Sequence, residues 1–130
     1  VLIVDRNGLE RNVAAKYNPE AIKQPVIILI NSLSASASEI FSGALKDNRR
    51  AVLVGTTTFG KGIVQSIIPL RDGTAVKITT SSYFTPSGNN IHGVGIEPDI
   101  EVVFDGEAYK KDKSDNQLDA AIEKIKKDLK

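Results

Sequence analysis

Pro25-Val26-Ile27-Ile28-Leu29-Ile30-Asn31-Ser32-Leu33-Ser34-Ala35-Ser36-Ala37-Ser38-Glu39-Ile40-Phe41 is the stretch on which the fold turns. Residues 26–30 are apolar and mostly β-branched, the pattern of a strand buried on both faces and so of a sheet covered by helices. From Ser34 the chain changes to small, helix-compatible residues. Ile40, Phe41, Ala44 and Leu45 then keep helical spacing until Asp47-Asn48 closes the run. A second apolar strand at 51–54, ended by Gly55, completes a strand-helix-strand unit, the opening of an α/β fold.

Working outward, residues 1–5 read as a strand, Asn7-Gly8 as a tight turn, and residues 12–16 as the return strand. A polar connection covers 17–24. After Gly55 comes a Thr/Gly loop to Gly62, then strands at 63–70 and 75–84 around the Asp72-Gly73 turn, a loop at 86–90, and a short last strand at 100–104. Residues 107–116 read as a charged linker. Leu118, Ile122, Ile125 and Leu129 recur at the spacing of an amphipathic helix. The expectation is a domain over 1–106, with a mixed sheet and flanking helices, followed by a linker and helix over 107–130.

The chain has 130 residues, enough for one domain with a real core. Its 17 basic and 16 acidic residues leave a net charge of +1, which gives no electrostatic reason to expect nucleic acid or an anionic membrane as partner. Without cysteine there is no disulfide, thiol nucleophile or Cys-based metal site. The single histidine excludes a His-rich metal site, and no cofactor is called for. No apolar run has the length of a membrane span. The chain starts inside a strand-like run and lacks methionine, so it reads as part of a longer precursor.

Two segments could carry chemistry, residues 34–39 and Gly60-Lys61-Gly62. A serine just after a buried strand and at a helix N-terminus sits on a sharp turn among unpaired N–H groups. Those donors and the helix dipole favour an attacking alkoxide and a tetrahedral oxyanion. The same residues, Ser36-Ala37-Ser38-Glu39, also make a Ser-x-x-Glu capping box, which does no more than start a helix. A serine needs a base. His92 lies in a Gly- and Asn-rich loop, where a histidine is ordinarily solvated. A lysine can serve when it is desolvated and has no carboxylate partner. Lys61 suits that role, with glycines on both sides and no acidic residue between Arg50 and Arg71, although a Gly-Lys-Gly is ordinarily a plain loop.

A rival motif overlaps it. Gly55-Thr56-Thr57-Thr58-Phe59-Gly60-Lys61 follows a strand and matches a phosphate-binding P-loop up to its lysine. Gly62 then replaces the Ser/Thr that would ligate Mg²⁺. The β-branched run 63–68 and Pro69 stand where that motif needs a helix.

Taken together, these residues resemble the carboxyl-terminal processing (tail-specific) serine proteases, whose Ser-Ala-Ser-Ala-Ser-Glu and Phe-Gly-Lys-Gly segments stand here unaltered at 34–39 and 59–62. The nucleophile-to-lysine separation also agrees, at 61 − 36 = 25 positions. Further similarity runs through Tyr83-Phe84-Thr85-Pro86-Ser87-Gly88 and Gly95-Ile96-Glu97-Pro98-Asp99. Departures are Asn31-Ser32-Leu33, where a glycine usually precedes the serines, and Thr56 in place of an acidic residue.

The resemblance implies an incomplete crotonase-like core. It implies Ser36 as nucleophile, Lys61 as general base, Gln65 as the residue that orients the lysine amine, and the Ala37 N–H as one oxyanion donor. The family's upstream Gly-Gly segment and tail-binding PDZ domain are not among these residues, so an isolated fragment is expected to be a poor enzyme. Implied substrates are proteins with accessible C-terminal tails, outside the cytoplasm. The alternatives are a non-catalytic scaffold that retains the fold and, with less support, the nucleotide binder.

Overall fold

A computed structural model describes residues 1–129. In chain order the elements are β1 (Leu2–Asp5), β2 (Glu10–Asn12), β3 (Ile27–Ile30), α1 (Ala37–Asp47), β4 (Val52–Gly55), β5 (Ile63–Pro69), β6 (Ala75–Phe84), β7 (Ile100–Glu101), α2 (Gly106–Asp112) and α3 (Asn116–Asp128). Parallel and antiparallel pairing both occur, but in two sheets rather than one mixed sheet. β3-β4-β7 is parallel throughout, and β2-β1-β6-β5 is antiparallel throughout.

The strand-helix-strand unit is as the sequence predicts, because parallel neighbours require a crossover and α1 supplies it between β3 and β4. Alternation along the strands puts Ile28 and Ile30 on one face. Ile30 and Leu53 meet Tyr83 of β6 and Ile91 and Ile96 of the following loops in one apolar cluster. That cluster joins the two sheets, since Tyr83 belongs to the antiparallel one. The expectation that β3 is buried on both faces fails at Leu29, which is 42% exposed. β3 is an edge strand here, and α3, which lies against β3 and β4, covers that second face only in part.

Four other expectations are corrected. The return strand is Glu10–Asn12, earlier than residues 12–16, because the Asp5 carboxylate accepts the Asn7 and Leu9 N–H groups at 2.8 and 2.9 Å and closes the turn tightly. The last strand stops at Glu101. Beyond it the Val102 and Val103 carbonyls accept from the Gln117 and Asn116 amides, which draws the chain out of the sheet to seat α3. The charged linker is largely helical. Asp105 caps α2 by accepting from Glu107 and Ala108, an N-cap signal that the run of charges obscured. Of the stripe Leu118, Ile122, Ile125 and Leu129, only Ile125 is half-buried and the other three are exposed, while Gln117 and Ala121 of α3 are buried.

Helix α1 likewise turns an unexpected face inward. Phe41 is exposed, while Glu39, Ser42 and Gly43 are buried. Among the described residues no helix is long and apolar enough to cross a membrane.

Candidate active site

Ser36 is the N-cap of α1, with φ 55 and ψ −111. Positive φ is strained for a residue with a side chain, and such strain is kept where the surroundings enforce it. Two bonds tighten the turn from β3: Ser34 N–H donates to the Asn31 carbonyl at 2.9 Å, and Asn31 N–H donates to Ser34 Oγ at 3.1 Å. The capping box is made on its glutamate side, where Glu39 Oε2 accepts the Ser36 N–H at 2.9 Å. The Glu39 N–H donates to the Ser36 carbonyl at 3.0 Å. The Ala37 N–H, in the first helical position, has no partner among the described residues. Ser36 opens on a cavity of about 430 Å³ whose other walls include Ile3, Ile40, Lys61, Gln65 and Tyr83.

Lys61 reaches that cavity because its loop is wedged against residues 91–95. Gly60 has φ +88, and a Cβ there would sit 2.9 Å from the Gly95 nitrogen. A Cβ on Gly62 would sit 2.8 Å from the His92 nitrogen. The Phe59 N–H donates to the Ser34 carbonyl at 3.0 Å, docking the loop on the serine segment. The structure therefore brings Ser36, Lys61 and Gln65 to one cavity, although the Gln65 amide donates to Thr79 Oγ1 at 3.4 Å rather than to the lysine. His92 is exposed and is not part of that lining.

Glu39 is the residue that sequence reasoning undervalued. It is fully buried and accepts four bonds. Besides the Ser36 N–H, these come from Thr58 Oγ1 at 2.5 Å, Gly60 N–H at 2.6 Å and Lys61 N–H at 2.8 Å. A carboxylate thus lies beside Lys61 after all, but it holds the backbone, and Lys61 forms no ion pair among the described residues. Burial pushes the Glu39 pKa up, and its four donors more than offset this, holding it below the usual range. Its bonds therefore stabilise the fold above the ordinary carboxylate range and are lost as pH falls through that lowered value.

Tyr83 donates its hydroxyl to the Lys61 carbonyl. Burial raises its pKa, the Ser36 hydroxyl beside it opposes the rise, and the Glu39 charge adds to it. It stays a neutral donor at neutral pH. The Ser-x-x-Glu spacing revealed only the local bond of Glu39. Its other partners lie 19 to 22 positions away, beyond any local pattern.

No group of three His, Asp or Glu side chains that could hold a metal occurs among the described residues. Gly62 leads directly into strand β5, so the P-loop match lacks the helix N-terminus that would hold a phosphate.

Residues 1–102 match the model of Peptidase family S41. A carboxy-terminal-processing protease of Bartonella bacilliformis is 49% identical over 104 residues, covering 77% of this chain and 24% of the relative. A carboxyl-terminal-processing protease of Picosynechococcus is 40% identical over 130 residues, covering 98% of this chain and 31% of the relative. Among solved structures, a photosystem II D1 C-terminal processing protease superposes with a TM-score of 0.72 at 40% identity, over 78% of this chain and 26% of that one. The chain thus spans about a quarter to a third of the length of these relatives.

Proposed function

Because this chain belongs to Peptidase family S41, we propose that it forms the nucleophile-and-base part of a serine endopeptidase that cleaves proteins near their C-termini. The observation that carries this reading is the pairing of a strained helix-capping serine and a glycine-flanked lysine on one cavity.

In the proposed reaction Lys61, as the neutral amine, takes the Ser36 hydroxyl proton while Oγ attacks a peptide carbonyl. The carbonyl π pair moves to oxygen, and the unpaired Ala37 N–H is one donor to that oxyanion. The tetrahedral intermediate then collapses. The lysine ammonium gives its proton to the leaving amine, and the acyl group remains on Ser36. Water then gives a proton to the same lysine and attacks the acyl carbon; the bond to Ser36 Oγ breaks, the lysine returns its proton to Oγ, and the new C-terminus leaves. Gln65 would leave Thr79 to steady the amine; its 3.4 Å bond there is long enough to exchange readily.

The proposed architecture is a crotonase-like core, with residues 1–106 part of the catalytic domain and 107–130 appended to it. Substrates are proteins with flexible C-terminal tails. The proposed location is outside the cytoplasm, in a periplasmic, cell-surface or secreted setting.

The test uses the complete natural protein that contains these residues. Two substrates share one folded domain and one unstructured tail, fused at the C-terminus in the first and at the N-terminus in the second. Intact-mass analysis should show removal of the C-terminal tail at least about ten times faster. Equal rates on the two substrates, or none on either, would refute tail-specific proteolysis.

A further inference from the structure

One carboxylate oxygen, Glu39 Oε2, accepts the N–H of both Ser36 and Lys61, at 2.9 and 2.8 Å. The other, Oε1, accepts Thr58 Oγ1 and the Gly60 N–H from the same lysine loop. On the next peptide unit, the Tyr83 hydroxyl donates to the Lys61 carbonyl, and Tyr83 lines the same cavity as Ser36. The Lys61 backbone is therefore gripped at its N–H and at its C=O. Glu39 also holds the Ser36 N–H, and Tyr83 shares a cavity wall with Ser36.

From this geometry we infer that Glu39 and Tyr83 are positioning residues, a two-jawed clamp that fixes the backbone of the general base relative to the nucleophile. This rests on the Ser36–Lys61 reading of the site. A lysine side chain has four rotatable bonds, so its amine is only as well placed as the backbone that carries it. A displacement of 1 Å at a reacting group costs about 10²-fold in rate. Hydrogen bonds to a charged acceptor are about twice as strong as neutral ones. Placing a carboxylate rather than an amide at position 39 thus stiffens this joint in particular. Glutamine has nearly the same shape but a single acceptor oxygen. Whichever way its amide lies, it turns an NH₂ toward a fixed donor, facing either the Ser36 and Lys61 N–H groups or the Gly60 N–H.

The experiment compares Glu39→Gln, Tyr83→Phe, their double mutant and Lys61→Met in the complete natural protein. It measures kcat, KM, folded fraction and the rate at which a phosphonyl fluoride labels Ser36. Each clamp variant should lose about 10²-fold in kcat per folded molecule, with KM changed less than about threefold. Labelling should slow in proportion. The double mutant should lose less than the product of the two single losses, because both jaws hold the backbone of one residue, Lys61.

If Glu39→Gln does not fold, Tyr83→Phe decides the matter alone, since it removes only a hydroxyl. Wild-type kcat per folded molecule in Tyr83→Phe beside an inactive Lys61→Met removes the clamp and leaves the dyad standing. A loss of rate that merely follows the unfolded fraction also removes the clamp. Wild-type activity in Lys61→Met removes the dyad and the clamp together.

Discussion

Ser36→Ala, made in the complete natural protein that contains these residues, will lower kcat/KM on an unfolded protein substrate by about 10⁴-fold or more. Lys61→Met will do nearly the same, and the double mutant will be no worse than either alone. The reason is that a hydroxyl and its base act as one device. Without the amine the serine stays protonated, and without the serine the amine has nothing to activate. What survives in all three is whatever the oxyanion donor and substrate binding contribute by themselves. Initial rates under first-order conditions check this. A Ser36→Ala protein that keeps more than about a tenth of the rate would assign the nucleophile elsewhere, and strictly multiplicative losses in the double mutant would mean that the two residues act separately.

The largest structural effect is expected at Gly55. This residue ends β4 with φ +132, and a Cβ placed on it would lie 2.0 Å from the Ile30 carbonyl oxygen of the paired strand β3. That oxygen is the acceptor for the Thr56 N–H at 3.0 Å, so the strand end cannot give way without losing a bond. Gly55→Ala combines the strain of a side chain at this φ with overpacking against backbone. The two together cost about 4 kcal/mol. For a domain of this size that lowers the thermal midpoint by roughly 10 °C or more. Because β3 leads into Ser36 and β4 into the lysine loop, labelling of Ser36 should weaken as well. Gly106→Ala is the control, since nothing lies within 4 Å of the added methyl. A Gly55→Ala protein as stable as that control would show that the close approach of β3 and β4 is not a constraint.

Legibility in the sequence followed the range of the interactions. Ser36 and Lys61 each sit in a short unbroken string, and the crossover between β3 and β4 follows from two apolar runs around one helix, so both could be read directly. The burial of α1 could not. Its fully buried residues are Glu39, Ser42 and Gly43, with Ile40 half-buried against the core and Phe41 exposed, because the helix packs against the lysine loop and the 85–96 segment. The wall at Gly43 is Ile96 and Thr85. Only tertiary structure supplies such a partner. The Ser-x-x-Glu spacing marks Glu39 as the end of a capping box and says nothing of its other bonds. Buried carboxylates need several donors, and three of its four came from a loop about 20 positions away. The helix at Gly106–Asp112 was hidden for a different reason. It buries none of its residues, so it has no apolar period to detect, and its caps were the only signal available.

The most direct test of the account is to ask where an electrophile lands. The complete natural protein is treated with a phosphonyl fluoride, digested and mapped by mass spectrometry, in wild type and in Lys61→Met. The account predicts a single adduct on the peptide that contains Ser36, formed in wild type and slowed by at least about 10²-fold when the lysine is removed. An adduct on another residue, or a Ser36 adduct formed equally fast without Lys61, would contradict it.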